Sequence, residues 1–164
     1  MRAYLAGGLA AVAFTASPAF ADTAEAEWAP ATFELDNGME VVVLPDHRAP
    51  VVTHMVWYKV GAVDEDPGKS GIAHLFEHIM FKETDDLGPG EFDNIVSRLG
   101  GQNNAFTSWD YTAYYERVAK QHLEKMMELE AERMTDLIIN DDPEGPFISE
   151  RDVVKEERRQ RIDN

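Results

Sequence analysis

The sequence HLFEH at residues 74–78 contains two histidines and a glutamate that one helical face could carry together. Side chains three and four residues apart on an α-helix are neighbours, with Cβ atoms about 6 Å apart, so the imidazoles of His74 and His78 can reach one metal ion. Glu77 falls beside them. Apolar residues at positions 72, 75, 76 and 79 recur at helical spacing and are expected to pack inward. Residues 71–81 therefore predict an amphipathic helix that carries a metal site.

The order of these residues, HxxEH, favours hydrolysis assisted by a metal ion. It is the inverse of the HExxH pattern, in which the glutamate activates a water molecule and does not bind the metal. Zinc lowers the pKa of bound water from about 15.7 towards 7, so Glu77 could act as general base and later protonate a leaving amine. The alternative is that His74 and His78 are ordinary surface or core histidines.

A third metal ligand is expected, because zinc hydrolases usually combine three protein ligands with one open position. The chain has no cysteine, so His, Asp or Glu must supply it. Residues 149–163 form an acidic, helix-like stretch with three candidates, Glu150, Glu156 and Glu157. Glu150 and Glu157 share a face two helical turns apart, whereas Glu156 is rotated by about 100°. We predict Glu157 as the ligand with Glu150 behind it, against the alternative of a solvated helix with paired charges.

Several separate stretches together resemble the N-terminal part of the pitrilysin/insulinase family of zinc metallopeptidases, which includes the mitochondrial processing peptidases. They run through nearly all of the chain after residue 30: LDNGM at 35–39, VVV at 41–43, VGA at 60–62, GIAHLFEHIMFK at 71–82, GGQNNAFT at 100–107 and ERDVVKEE at 150–157.

The resemblance implies roles for the residues that match the family's motifs. In that family, the two motif histidines and a glutamate on a later helix hold zinc, and the motif glutamate is the base. The implied set here is His74, His78 and Glu157 as Zn²⁺ ligands, Glu77 as base, and Glu150 as a second glutamate two turns before the ligand. Aligning residues 150–154 without gaps selects Glu157 over Glu156.

Residues 103–108 resemble the family's edge strand, which holds an extended peptide substrate by backbone pairing. In such strand addition, main-chain hydrogen bonds supply affinity with little regard to sequence. Asn104 and Ala105 are the expected substrate contacts. The same segment also reads as an ordinary strand in a hairpin with residues 111–117, and both interpretations can hold together.

The first 21 residues read as a secretory signal peptide. Arg2 precedes an apolar run, and the small residues of Ala19-Phe20-Ala21 predict cleavage after Ala21. The run is too short and too rich in Ala and Gly to favour a membrane anchor, so a periplasmic or secreted protein is expected. The net charge of −16 argues against nucleic-acid binding, which needs clustered Lys and Arg.

The remaining sequence predicts a linker at residues 22–30 and a zinc-peptidase domain at residues 31–164. We expect an α+β fold, with an antiparallel sheet and helices packed on one side. The predicted strands are residues 32–35, 39–44, 51–60, 103–109 and 112–118, with a hairpin at Asn37-Gly38. The predicted helices are residues 71–81, 92–99 and 121–139, besides the stretch at 149–163. On the third helix, Leu123, Met126, Met127, Glu130 and Met134 would form a mostly apolar stripe.

The function expected from these features is that of an exported zinc endopeptidase acting on extended peptides. The chain ends inside a predicted helix, so we expect a fragment in which the domain is incomplete at its C-terminus. The resemblance implies that this domain is the first homologous half of a peptidase chamber. Family members have a second homologous domain, in the same chain or in a partner subunit. We therefore expect the segment to bind zinc and to have little activity alone. The alternatives are a non-catalytic chamber half that binds peptides or supports a partner, and a zinc-buffering module that would not need Glu77.

Overall fold

The computed structural model describes residues 29–140 and 142–162. The predicted signal peptide, its cleavage site after Ala21 and most of the predicted linker lie outside this part of the chain. The chain divides into two compact units, one up to Arg48 and one from Ala49 onward. We describe each unit by itself. No helix among the described residues is long and apolar enough to cross a membrane.

The described part of the first unit is a β-hairpin. Strands β1 (Ala31–Glu34) and β2 (Glu40–Val43) pair antiparallel, with Ala31 opposite Val43. The connection contains the predicted Asn-Gly pair. The Asn37 side-chain oxygen accepts a hydrogen bond from the Met39 amide, and Gly38 has a φ of 84°, which an L side chain would disfavour. The hairpin predicted from Asn37-Gly38 is confirmed.

The second unit contains a three-stranded antiparallel sheet. Its strands are β3 (Val51–Tyr58), β4 (Gln102–Thr107) and β5 (Thr112–Ala119), in the order β3-β5-β4. Exposure alternates along β3, as the period of two in a strand requires when only one face is covered. Trp57 and Phe106 lie on the uncovered face, opposite the same residue of β5, Ala113. The central position of β5 leaves β4 at one edge.

Four helices belong to the same unit. They are α1 (Ile72–Ile79), α2 (Glu91–Arg98), α3 (Leu123–Thr135) and α4 (Pro146–Ile162). The core consists of Phe92 and Val96 from α2, Val118 from β5, and Met126 and Leu129 from α3. Helices α2 and α3 thus pack on one face of the sheet, and the predicted α+β fold is confirmed.

Two expectations about the helices were wrong. The helix predicted at residues 121–139 ends at Thr135, because the following segment pairs with another loop: Leu137 bridges to Thr84, and the Ile138 amide donates to the Glu83 carbonyl. Met127, expected in the apolar stripe, is 53% exposed.

The apolar face of α1 also differs from the expectation, because Ile72 and Phe76 are 41% and 43% exposed. The buried residues of this helix are Ala73 and Ile79.

A charged cluster lies between α3 and the sheet. Arg133 donates hydrogen bonds to the carboxylates of Glu130 and Glu116, and all three side chains are almost fully buried. The guanidinium carbon of Arg133 also lies 4.3 Å from the ring centre of Tyr114. His54 of β3 completes the cluster, with its Nδ1 3.3 Å from Glu116 Oε2. The position of Glu130 on the inward face of α3 is therefore explained by an ion-pair network, not by apolar packing.

Candidate metal centre

Helix α1 presents the two histidines of the HxxEH motif one turn apart. The helix starts after Gly71, and the Glu65 carboxylate accepts hydrogen bonds from the backbone amides of Gly71 and Ala73, both at 2.9 Å. A carboxylate at this end satisfies free amides and complements the helix dipole. Glu65 therefore fixes the start of the helix that carries His74 and His78. Sequence analysis missed this contact, because Glu65 precedes Gly71 by six residues and a capping residue is expected immediately before its helix.

The structure brings three of the predicted site residues together. The Nε2 atoms of His74 and His78 are 3.3 Å apart. One carboxylate oxygen of Glu157 lies 3.6 Å from His74 Nε2, and the other lies 4.0 Å from His78 Nε2. All three side chains are partly exposed, so solvent can reach the space between them. In contrast, the exposed Glu156 carboxylate pairs with Arg159 on the same helix at 3.2 Å.

This arrangement fits a tetrahedral zinc ion. Ligand atoms about 2 Å from an ion at the centre of a tetrahedron are about 3.3 Å from one another. The two histidine nitrogens are 3.3 Å apart and one Glu157 oxygen lies 3.6 Å from His74 Nε2, both close to that value, while the other Glu157 oxygen lies 4.0 Å from His78 Nε2. Two imidazoles and one carboxylate are also a donor set found in hydrolytic zinc sites, where a fourth position stays open. His74, His78 and Glu157 could therefore hold zinc with little rearrangement.

Glu150 lies behind the second histidine. Its Oε2 is 3.0 Å from His78 Nδ1, and its Oε1 is 2.6 Å from the Lys82 ammonium. Burial alone would raise the pKa of Glu150, but hydrogen bonds from Lys82 and His78 outweigh burial and hold this pKa below its ordinary value. Glu150 contacts the nitrogen of His78 that faces away from Glu157. Lys82 was not singled out from the sequence, because its partner is remote in the chain.

Glu77 lies on the same helix and contacts the edge strand. The hydroxyl of Thr107 donates a hydrogen bond to Glu77 Oε2 at 2.5 Å. Thr107 itself lies 3.4 Å from the hydroxyl of Thr112, which donates to the Val60 carbonyl. The Glu77 carboxylate is thus tied to the sheet. The sequence predicted Thr107 only as part of a strand. Its contact with Glu77 depends on the packing of α1 beside β4, which is a tertiary contact that local sequence does not reveal.

Strand β4 and helix α1 line one cavity of about 550 Å³. His74 and Glu77 contribute from α1, and Ala105 and Thr107 contribute from β4. Within the described residues, β4 pairs only with β5, so its second edge is open. The Ala105 amide donates a hydrogen bond to the side-chain oxygen of the exposed Asn104 at 2.9 Å. The Ala105 amide, which lies beside the candidate metal centre, therefore has a hydrogen-bond partner in Asn104. A bound ligand could take the place of that partner.

Comparison with known proteins identifies the family of this chain. Residues 40–162 match the insulinase family, peptidase family M16. The chain belongs to this family. The resemblance inferred from the motifs is therefore confirmed. In this M16 chain, His74 and Glu77 line one cavity with the edge strand, and Glu157 lies beside the two histidines.

Individual M16 relatives agree with this assignment. The zinc protease PqqE of Helicobacter pylori is 48% identical over 131 residues, which cover 79% of this chain and 29% of the relative. A protease from Helicobacter pylori has a crystal structure that covers 83% of this chain and 32% of its own, with 46% identity and a TM-score of 0.78. The first half of the periplasmic protease PqqL from Escherichia coli matches 81% of this chain and 30% of its own, with 25% identity and a TM-score of 0.72. The chain thus spans about 30% of the length of the relatives it matches.

Proposed function

We propose that this chain is the zinc-binding part of the first half of an exported M16 endopeptidase that hydrolyses extended peptides. One observation carries the proposal: possible ligand atoms of His74, His78 and Glu157 lie within 4.8 Å of one another, and His74 also lines a cavity with Glu77 and the open strand edge. Hydrolysis of a peptide needs a metal site, a base and a means of holding the main chain. The histidines with Glu157, the Glu77 carboxylate and the open edge of β4 would meet these three requirements.

His74, His78 and Glu157 would hold the zinc ion, and Glu150 would orient His78 through its Nδ1 atom. When bound, zinc supplies Lewis acidity to the peptide carbonyl and to the attacking water. Glu77 takes the proton that this water loses and later gives it to the nitrogen of the leaving amine. The Thr107 hydroxyl holds one oxygen of Glu77 and leaves the other free to accept the proton.

The peptide would add to the open edge of β4 as a further strand. Backbone pairing of this kind gives affinity for extended chains without strict sequence preference. Without substrate, the Asn104 side-chain oxygen accepts the hydrogen bond of the Ala105 amide. A substrate carbonyl would replace it there, and the released amide group of Asn104 could then bind the substrate main chain. Binding therefore exchanges hydrogen bonds at this position, so no buried amide is left without a partner.

We also infer a second homologous domain and export from the cytoplasm. The M16 relatives are about three times as long as the matched region, and one solved neighbour is itself the first half of a protease. A second domain would close the cleft over the peptide. Export is supported by the signal-like residues 1–21 and by the periplasmic location of PqqL. The N-terminal residue of the mature protein is expected to be Asp22, which mass spectrometry of the exported protein would test.

Zinc binding by variants of the chain tests the metal centre directly. We expect one zinc ion per wild-type chain by elemental analysis, strongly weakened affinity for Glu157→Gln, and little change for Glu156→Gln, which is the matched control on the same helix. Folded wild-type chain that binds no zinc would contradict the proposal. Equal weakening by the two substitutions would contradict the choice of Glu157.

Peptide hydrolysis tests the role of the base. With the second domain present, Glu77→Gln should keep its zinc and lose about 10²- to 10⁴-fold in kcat, the usual contribution of a positioned acid-base group. The measurement is cleavage of an internally quenched peptide. Wild-type protein that binds zinc and peptide without cleaving the peptide would favour a non-catalytic chamber half. A Glu77→Gln variant that keeps every function would favour zinc buffering.

A further inference from the structure

Lys82 lies just beyond the end of α1 and contacts the carboxylate behind the metal centre. Its ammonium group is 2.6 Å from Glu150 Oε1, and the two side chains are only 28% and 13% exposed. The other oxygen of the same carboxylate, Oε2, is 3.0 Å from His78 Nδ1. Glu150 therefore bridges a lysine and one of the two histidines, with one oxygen for each.

The contact with Nδ1 determines which nitrogen of His78 can bind a metal. A neutral imidazole carries its proton on one nitrogen and has a lone pair on the other. A carboxylate at Nδ1 keeps the proton there and leaves the lone pair on Nε2. In this structure, Nε2 of His78 is the atom that faces His74 and Glu157. The orientation of the Glu150 carboxylate is thus coupled to the geometry of the metal centre.

Lys82 holds the second oxygen of this carboxylate. Among the described residues, the polar partners of the Glu150 carboxylate are His78 and Lys82. A carboxylate held at one oxygen can rotate about its last side-chain bond, whereas one held at both oxygens cannot. Glu150 also lies two turns before Glu157 on α4. A contact that holds Glu150 against α1 would therefore also determine the position of Glu157 along α1.

We propose that Lys82 is a positioning residue of the metal centre, acting through Glu150 on His78 and on the register of α4. The inference rests on the proposed function, because it requires His74, His78 and Glu157 to bind zinc. The opposite view treats Lys82 as a simple nearby charge. A positive charge repels a divalent cation, so in that view its removal would strengthen zinc binding. The two views predict opposite signs.

Zinc affinity of the chain, measured by competition with a chromophoric chelator, separates these views. We expect Lys82→Met to bind zinc about tenfold more weakly than wild type, at the lower end of the range for partners of metal ligands. Lys82→Arg should recover most of the affinity, because it keeps a cationic donor. Lys155→Met is the matched control: it removes a lysine from α4 that forms an exposed pair with Asp152 at 3.3 Å, and it should change affinity less than threefold.

A double substitution tests whether Lys82 acts through Glu150. If it does, Lys82→Met combined with Glu150→Gln should bind zinc no more weakly than Glu150→Gln alone. Additive losses would overturn the proposed route. Unchanged or tighter binding by Lys82→Met would overturn the inference as a whole.

A second measurement reports geometry independently of affinity. The visible absorption of bound cobalt(II) is sensitive to the arrangement of the ligands, and we expect it to change in Lys82→Met and to be restored in Lys82→Arg. Circular dichroism of the metal-free variants checks folding, and Lys82→Gln replaces Lys82→Met if that variant does not fold. Wild-type chain without zinc would refute the proposed function together with this inference. Zinc-binding wild type with unaffected Lys82 variants would refute this inference alone.

Discussion

The buried carboxyl of Glu130 should make the stability of this protein fall as pH rises from acidic to neutral. Burial, followed by a hydrogen bond shared with Glu116, raises the pKa of Glu130 from its ordinary 4.5 to about 8, and the charge of Arg133 only partly opposes this. The other titratable groups that face the cluster are His54, Tyr58 and Tyr114. Two carboxyls share one guanidinium, so the folded protein favours keeping a proton on one of them.

The magnitude follows from proton linkage. Between about pH 4.5 and pH 8 the folded state holds a proton on Glu130 that the unfolded state has lost. The free energy of unfolding therefore decreases as pH rises in this window, by up to about 1.4 kcal/mol per pH unit. From pH 5 to pH 7 the expected loss is about 3 kcal/mol. Glutamine resembles the protonated carboxyl and does not titrate, so Glu130→Gln should lack this loss.

Urea denaturation at several pH values between 5 and 8, with a chelator present, measures the effect. The stability of Glu130→Gln relative to wild type should rise by about 3 kcal/mol from pH 5 to pH 7. Glu128→Gln is the control on the same helix, because Glu128 forms an exposed pair with Lys125 and its substitution should not alter the pH dependence. If Glu130→Gln and wild type keep a constant difference over this range, the carboxyl is ionised throughout and the reasoning is refuted.

Three further predictions concern the cleft and its support. Thr107→Val should lower kcat for peptide cleavage about tenfold without changing zinc affinity, and Thr107→Ser should restore it, because the hydroxyl orients the base; equal activity of the two variants would disprove this role. Asn104→Ala should raise KM about fivefold with little change in kcat, because the substrate main chain loses one hydrogen bond to the Asn104 side chain, and a loss confined to kcat would contradict substrate binding there. Gly61→Ala should destabilise the fold by about 1–3 kcal/mol in urea, since its Cβ would lie 2.6 Å from a backbone carbonyl oxygen, whereas Gly88→Ala meets no atom closer than 3.7 Å and serves as control.

Helical spacing determines which side chains share a face, so the sequence alone grouped His74 with His78 and Glu150 with Glu157. The closeness of these two pairs was implied by the family resemblance, because the pairs lie on helices that are remote in the chain. The contacts that hold these residues depend on tertiary structure. Thr107 meets Glu77 only because β4 packs beside α1, and no local pattern encodes that packing.

The errors have similar causes. The helix predicted to continue to residue 139 had an apolar pattern that persisted through Ile138 and Ile139, yet the backbone there pairs with the loop at residues 83–85. A tertiary pairing thus overrode local periodicity. Glu130 was placed on the inward face correctly by its spacing, but its partners were not identified. Arg133, three residues later, was the available signal, because residues at this spacing can form an ion pair on a helix.

Helix α4 has no buried residue among those described, and Glu150 and Glu157 make ion-pair contacts with the histidines of α1. An element without buried residues is expected to open locally more often than the core. Zinc captured by the histidines and by Glu157 would therefore join two remote segments and slow this opening. Amide hydrogen exchange in α4 should consequently slow when zinc is added, while exchange in β5 stays the same. The same coupling would also control the release of zinc. The dissociation rate of the ion would depend more on how often α4 opens than on the strength of any single bond between zinc and a ligand.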